Sequence, residues 1–214
     1  MANQPLNISS IQSQLHSLAQ REGVSKWDLG ASRSSSASVQ VDRGEAKQLK
    51  ASQRSSITVR VWNQRGLVGI TSTSDLSDSG LEKALMGAHQ ASAFGNPDDV
   101  PGFSPLATAP QPDLHRPLQE PQGIQTLLEQ LLDAERQLLG RHPSIGTLPY
   151  NALNEGSSER VYLNSEGALR QAQRTQASIF LMARAEESGR KPRSGGAVRV
   201  ALGSRDLDLT GCIE

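Results

Sequence analysis

No regular element can run from Gly95 to Pro121. Proline recurs at Pro97, Pro101, Pro105, Pro110, Pro112, Pro117 and Pro121, never more than five residues apart. Each proline fixes φ and removes a backbone donor, so neither a helix interior nor a central strand can pass through. The chain must therefore fold as two blocks of elements joined by an extended crossing segment. We expect that segment to wrap the surface of one domain rather than to link two, because the flanking helices have too few partners to stand alone.

The first block opens with Ile8, Ile11, Leu15 and Leu18, which fall on one face of a helix. Asn7 is placed to cap its start and Gly23 to stop it. After Trp27 the period changes to two. Trp27, Leu29 and Ala31 alternate with polar residues, as do Val39 and Val41, then Ile57, Val59 and Val61. Gly44 in Asp42–Glu45 and Gly66 in Asn63–Gly66 supply tight turns. The serines Ser34, Ser35 and Ser36 read as a polar turn. Short alternating runs between turns predict an antiparallel meander with one buried face. A second helix is expected from Ser79 to Phe94, with Ser79 and Glu82 at capping-box spacing and Gly95-Asn96-Pro97 ending it.

The second block begins with the widest apolar stripe in the chain, running through Ile124, Leu127, Leu128, Leu131, Leu132, Leu138 and Leu139. Pro121 suits the first turn of this helix and Gly140 its stop. Strands return after Pro149. Val161–Leu163 leads into the turn Asn164–Gly167, and Gln171–Ala185 reads as one long strand. Leu207, Leu209 and Ile213 look like the opening of an amphipathic helix, with Asp208 or Thr210 near its start and its apolar face left uncovered. No internal repeat is evident.

Aromatic residues are 3% of the chain, so its core must be built from Leu, Ile and Val. Basic and acidic residues balance at 22 each. A nucleic-acid binder needs a basic surplus to neutralise phosphates, so no nucleic-acid partner is expected. Basic residues gather only weakly at Arg190, Lys191, Arg193, Arg199 and Arg205, which reads as a solvated surface. Cys212 is the sole cysteine, and Met1–Gln14 is polar. Together with the lack of any apolar run of about 20 residues, this predicts a cytoplasmic chain with no membrane partner.

The motifs of catalysis are missing. His16, His89, His115 and His142 are the four histidines, and no pair has the spacing that puts two ligands on one helix face. No serine occupies a Gly-x-Ser-x-Gly elbow. Cys212 has Asp208 nearby and no histidine to activate it. Gly195-Gly196 is followed by no Lys-Ser/Thr and is not a phosphate loop. The residues predict an α+β scaffold with no catalytic, cofactor-binding or metal residue.

Several segments in order resemble one family. They are Val39–Lys47 (VQVDRGEAK) through Ser52, Ile57–Trp62 (ITVRVW), Gly66–Thr73 (GLVGITST), the alanine-rich helix ending in Phe94-Gly95-Asn96-Pro97, and Tyr162–Gly167 (YLNSEG). This set is similar to the N-terminal half of TldD/PmbA proteins, historically called modulators of DNA gyrase. Asp28-Leu29-Gly30, Val39–Lys47 and Leu81–Phe94 lean toward the PmbA/TldE branch.

The resemblance implies an α+β domain over residues 1–200, a meander packed on helices, with 95–121 as the crossing segment. Residues 201–214 would start a connecting helix to a C-terminal β-rich domain that the chain lacks. It further implies a cytosolic metallopeptidase that processes peptides and unfolded proteins. Zinc would sit in a TldD-type partner and none in this chain, which by itself would be inactive. The expected partners are that TldD-type subunit, or a second copy, and the peptide. The other reading is a non-catalytic peptide- or protein-binding regulatory module. Strand addition would suit either, with Ile57–Trp62 and Thr175–Met182 as candidate edges.

Overall fold

A computed structural model describes residues 6–98, 100–110 and 117–214. Its elements are α1 (Ile8–Arg21), β1 (Lys26–Asp42), β2 (Glu45–Trp62), β3 (Val68–Thr73), α2 (Asp78–Ala91), α3 (Ile124–Leu139), β4 (Ile145–Asn164), β5 (Leu169–Ala185), β6 (Arg193–Ala201) and α4 (Leu209–Ile213). The fold is α+β, with six antiparallel strands in the order β3-β2-β1-β4-β5-β6.

Local chemistry explains the boundaries. The Asn7 side chain accepts from Ser10 N at 3.2 Å to cap α1, and Gly23 follows the helix at φ +66°. The cap of α2 is Ser77, which accepts from Gly80 N, so Ser79 lies inside the first turn and is not the cap. α3 has no side-chain cap of its own at Gly123. Instead the buried Glu155 of β4 accepts from Gln122 N at 3.1 Å and Gly123 N at 2.8 Å. A carboxylate there also meets the positive end of the helix dipole. Arg43 and Gly44 both have positive φ, 53° and 79°, which a two-residue hairpin turn requires. The buried Glu135 of α3 accepts from both of their backbone N–H groups, at 3.2 and 2.7 Å.

The described chain divides into two compact units. The first falls within Met1–Ser34, Arg54–His115 and Ser158–Gln173. In it α1 and α2 cover Trp27, Leu29, Ile57, Val59, Val61, Val161 and Leu163, every one of them buried. The second falls within Ser35–Gln53, Arg116–Ser157 and Arg174–Glu214. In it Leu127, Leu131 and Leu138 of α3 pack with Val39, Val41, Leu153, Ile179 and Leu181. A fully buried leucine of this kind contributes about 2 kcal/mol.

Three further expectations change. Ser34–Ser36 is not a turn but the middle of β1. The Ser35 and Ser36 hydroxyls are satisfied across the sheet, Ser35 to Ser157 at 2.8 Å and Ser36 to Ser52 at 2.9 Å, which keeps a serine run extended. The terminal apolar residues are not left open either. Leu207, Cys212 and Ile213 are buried in the second core, and Asp208 caps α4 through Gly211 N at 2.8 Å.

The third change concerns repetition. The elements run α1-β1-β2-β3-α2 and then α3-β4-β5-β6-α4. The strand order reads third, second, first and then first, second, third of these two sets. A repeat hard to see in the sequence is plain in the fold.

Candidate functional site

In the first unit Asp28, Arg60, Trp62 and Tyr162 alternate with the core residues, so they share the sheet face turned away from α1 and α2. Asp28 is 3% exposed. Its carboxylate accepts two bonds from the Arg60 guanidinium, Nε to Oδ1 at 2.8 Å and Nη2 to Oδ2, and a third from Tyr162 Oη at 3.2 Å. Hydrogen bonding to Asp28 raises the Arg60 guanidinium above its ordinary value. Burial, and then the Asp28 charge, push the Tyr162 phenol up. This triad is closed on itself, and it orders three strands rather than offering a reactive group.

Beside it, the proline-rich segment lies across the face as a strap. Trp62 Nε1 donates to Pro101 O at 2.9 Å, and Phe103 meets the indole edge-on with centroids 5.0 Å apart. The Lys26 ammonium stands 5.1 Å from the Trp62 ring and 4.9 Å from the Phe103 ring. Arg170 donates to Leu106 O at 3.1 Å and to Ala109 O. Residues 100–110 of the crossing segment thus lie on the first unit, whereas Gln119 N donates to Thr175 Oγ1 at 3.1 Å in the second.

The three described histidines do not converge. His16 is exposed on α1 beside Gln20, His89 lies on α2, and His142 bonds Ser144 Oγ at 2.8 Å. His115 lies outside the described residues. Among the described residues no three His, Cys, Asp or Glu side chains gather as metal ligands. Burial pushes the Cys212 thiol up, and Sγ lies 3.6 Å from Ala197 O.

Ile57–Trp62 is no edge, because it pairs residue by residue with β3. Of Thr175–Met182, the stretch Ala177–Met182 pairs with β6, and Thr175 and Gln176 lie beyond that ladder. Their other sides face β1 and β4. The reason is that the short β3 and β6 each fold back on the half of a long strand that carries the alternating apolar residues. Leu169–Gln176 of β5 lies beyond the β6 ladder, and the longer open stretch lies earlier in β2. The β3 ladder stops at Ile57, so Glu45–Ser56 has no ladder partner on that side among the described residues. Glu45–Arg54 is exposed on both faces and carries Lys47, Lys50 and Arg54. Sequence reasoning missed this edge because an exposed strand has no buried face to give it a period.

Two domain profiles match the chain. PmbA/TldA metallopeptidase domain 1 covers residues 27–91, and the PmbA/TldA metallopeptidase central domain covers residues 118–213. The chain belongs to the PmbA/TldD family. Solved structures agree on the fold. A protein from Thermotoga maritima, described as a modulator of a DNA gyrase, superposes with a TM-score of 0.81 at 16% identity over 97% of this chain and 46% of its own. TldE from Thermococcus kodakarensis superposes at 0.76 with 15% identity, over 94% and 45%. A protein from Bacteroides thetaiotaomicron, described in the same terms as the Thermotoga one, superposes at 0.77 with 15% identity, over 96% and 47%. This PmbA/TldD-family chain thus spans less than half the length of these relatives. No curated protein sequence matches it significantly.

Proposed function

We propose that this chain is the N-terminal portion of a PmbA/TldE-like subunit of a cytosolic TldD/PmbA-type metallopeptidase, and that it presents extended peptide to the assembly. In this reading zinc is held by a TldD-type partner, and the chain itself supplies no metal ligand or catalytic group. The family's description as metallopeptidases supports the setting. The likeness to TldE supports the branch.

The observation that carries the peptide role is the open ladder of β2. An extended peptide adds a strand to such an edge, taking affinity from backbone bonds and preference from alternate side chains. With Lys47, Lys50 and Arg54 on the strand, the preferred peptide is acidic. Lysine on an edge also discourages pairing with a second copy of the same edge, since like charges would meet.

Adjacent residues of a strand aim their N–H groups to opposite sides. Of Gln48 and Leu49, one therefore donates to β1 and the other points to the open edge. Proline substituted at the edge-facing position should abolish binding of a labelled acidic peptide, read by anisotropy, while leaving the melting temperature unchanged. At the other position it should lower the melting temperature. Peptide binding untouched by both substitutions would refute the edge. Failure of the extended protein to restore zinc-dependent cleavage to a TldD-type partner would refute the assembly.

A further inference from the structure

The strap across the first unit is tied down by its backbone rather than by buried side chains. Trp62 Nε1 donates to Pro101 O at 2.9 Å, and Arg170 donates to Leu106 O at 3.1 Å and to Ala109 O. In each of these bonds the sheet gives the donor and the strap gives a main-chain carbonyl. No residue from Val100 to Pro110 is buried, and Leu106 is 73% exposed. Phe103 supplies the side-chain anchor. Its ring meets the Trp62 indole edge-on, and the Lys26 ammonium stands 4.9 Å from it.

The strap also carries bonds of its own. Ala107 N donates to Ser104 O at 2.9 Å, Ala109 N to Leu106 O at 3.3 Å and Leu106 N to Ser104 Oγ at 3.2 Å. Pro101 and Pro105 have fixed φ, so the segment is partly preorganised before it docks. Lifting it breaks none of these bonds and removes no side chain from the core of the first unit. Such a segment belongs to the low-stability end of a fold, where local opening is easiest.

Beneath it, Trp62 is 4% exposed. Its ring is flanked by Lys26 at 5.1 Å and Arg60 at 5.3 Å. An indole whose N–H is aimed at a proline carbonyl is how aromatic-lined grooves take proline-bearing peptides. The repeat marks this as a feature of one half. Trp62 pairs with Val68 and Arg60 with Ile70, as Met182 pairs with Gly196 and Phe180 with Val198. The core-facing Ile57, Val59 and Val61 stand where Ala177, Ile179 and Leu181 stand, and none is more than 1% exposed. The core positions keep their character, whereas the indole donor and the cation give way to Met182 and Phe180, which neither donate nor carry charge.

We propose that Val100–Pro110 is the internal occupant of a peptide-binding face, and that a separate extended segment, with an aromatic residue two positions after a proline carbonyl, displaces it. The strap itself shows the chemistry of the ligand. The sheet reads carbonyls and one ring, so it accepts other sequences that present both. The internal occupant lowers the apparent affinity for a separate one in proportion to the time it is docked. The site is independent of the open edge of β2, which uses other residues and favours acidic peptide.

The test uses a fluorescent peptide of the sequence Val100–Pro105, blocked at both ends, read by anisotropy against the 214-residue chain. It carries no charge, so it does not draw on Lys47, Lys50 or Arg54. It ends before Leu106, so it does not need Arg170. Phe103→Ala in the chain loosens the strap and should raise peptide affinity several-fold. Arg170→Gln, which frees the other end of the strap, should raise it as well. Trp62→Met added to either variant should abolish binding, with folding verified by thermal unfolding. The same loss is expected when the peptide, not the chain, carries Phe103→Ala. Affinity that fails to rise in both strap variants overturns the proposal. So does binding that survives Trp62→Met in a folded chain, or binding that is indifferent to the ring of the peptide.

Discussion

Asp28 on β1 holds Arg60 on β2 through two parallel guanidinium–carboxylate bonds, and the acid is far more deeply buried than the base. Its side chain is 4% exposed and that of Arg60 is 30%. Removing one partner of a buried pair leaves the other charge uncompensated, at a cost of about 3–5 kcal/mol when burial is complete. The asymmetry decides which removal is worse. Arg60→Met strands a carboxylate that has only Tyr162 left, and should cost about 3 kcal/mol. Asp28→Asn leaves a guanidinium that can turn toward water, and should cost about 1–2 kcal/mol for the lost charged hydrogen bonds. Urea unfolding of the two variants measures this order.

The Tyr162 phenol makes the alkaline limb of stability predictable. Burial raises its folded pKa above the ordinary tyrosine value, and the Asp28 charge adds to this. A group raised in the folded state binds its proton more tightly there, so stability falls as pH rises. The contribution is complete below about 10, the ordinary tyrosine value, and is lost as pH climbs through the raised folded pKa. In a Tyr150→Phe background Tyr162 is the sole tyrosine. Its phenolate absorbance should therefore emerge later than in the unfolded chain. Tyr162→Phe should lose about 1 kcal/mol at neutral pH with the bond to Asp28. It should also show a flatter decline of stability in alkali.

Cys212 offers an internal reporter of the second core. Residue 212 is 5% exposed, and burial raises its thiol pKa. Thiolate is the reactive form, so both factors slow alkylation. In the folded protein a maleimide should react with Cys212 only at the rate at which α4 opens, and the rate should rise sharply at the urea midpoint. Leu131→Ala in α3 creates a cavity in the same core and costs about 2–5 kcal/mol. It should shift that rise to lower urea. Alkylation as fast as that of a free thiol would show α4 undocked.

What was legible in the sequence had a buried face. α1, α2 and α3 were readable because Leu15, Leu85 and Leu131 recur at helical spacing and are fully buried. The hairpin at Gly44 was readable because only glycine takes its φ freely, although nothing announced that Arg43 beside it also has positive φ. The mid-strand serines were misread because their hydroxyl partners lie on other strands, outside any local window. The exposed half of β2 was misread for want of alternation. The Asp28–Arg60–Tyr162 triad joins residues distant in sequence whose pairing only the strand order supplies. The repeat was hidden because its equivalent positions keep register and polarity while their residues change, Trp62 to Met182 and Arg60 to Phe180.

The paired caps let that repeat be tested for shared mechanics. Ser77 and Asp208 each accept a bond from the glycine three residues on, at 3.2 and 2.8 Å. Ser77→Ala and Asp208→Ala should each cost about 1 kcal/mol, the ordinary loss of an N-cap. The glycines should not be equivalent. A Cβ on Gly80 would lie 2.4 Å from Asp75 O, a backbone atom fixed by the turn that Asp75 Oδ1 makes with Ser77 N at 2.9 Å. A Cβ on Gly211 would lie 2.1 Å from Asp208 Oδ2, the mobile end of the cap itself. Gly80→Ala must therefore shift backbone, whereas Gly211→Ala need only turn the Asp208 carboxylate away. The first should cost more than losing its cap, and the second about as much as Asp208→Ala. Gly211→Ala combined with Asp208→Ala should then be no worse than either alone, because both remove the same bond. Thermal unfolding of the four single variants and this double variant measures every term. Additive losses in the double variant would show that Gly211 is needed for a reason other than its cap.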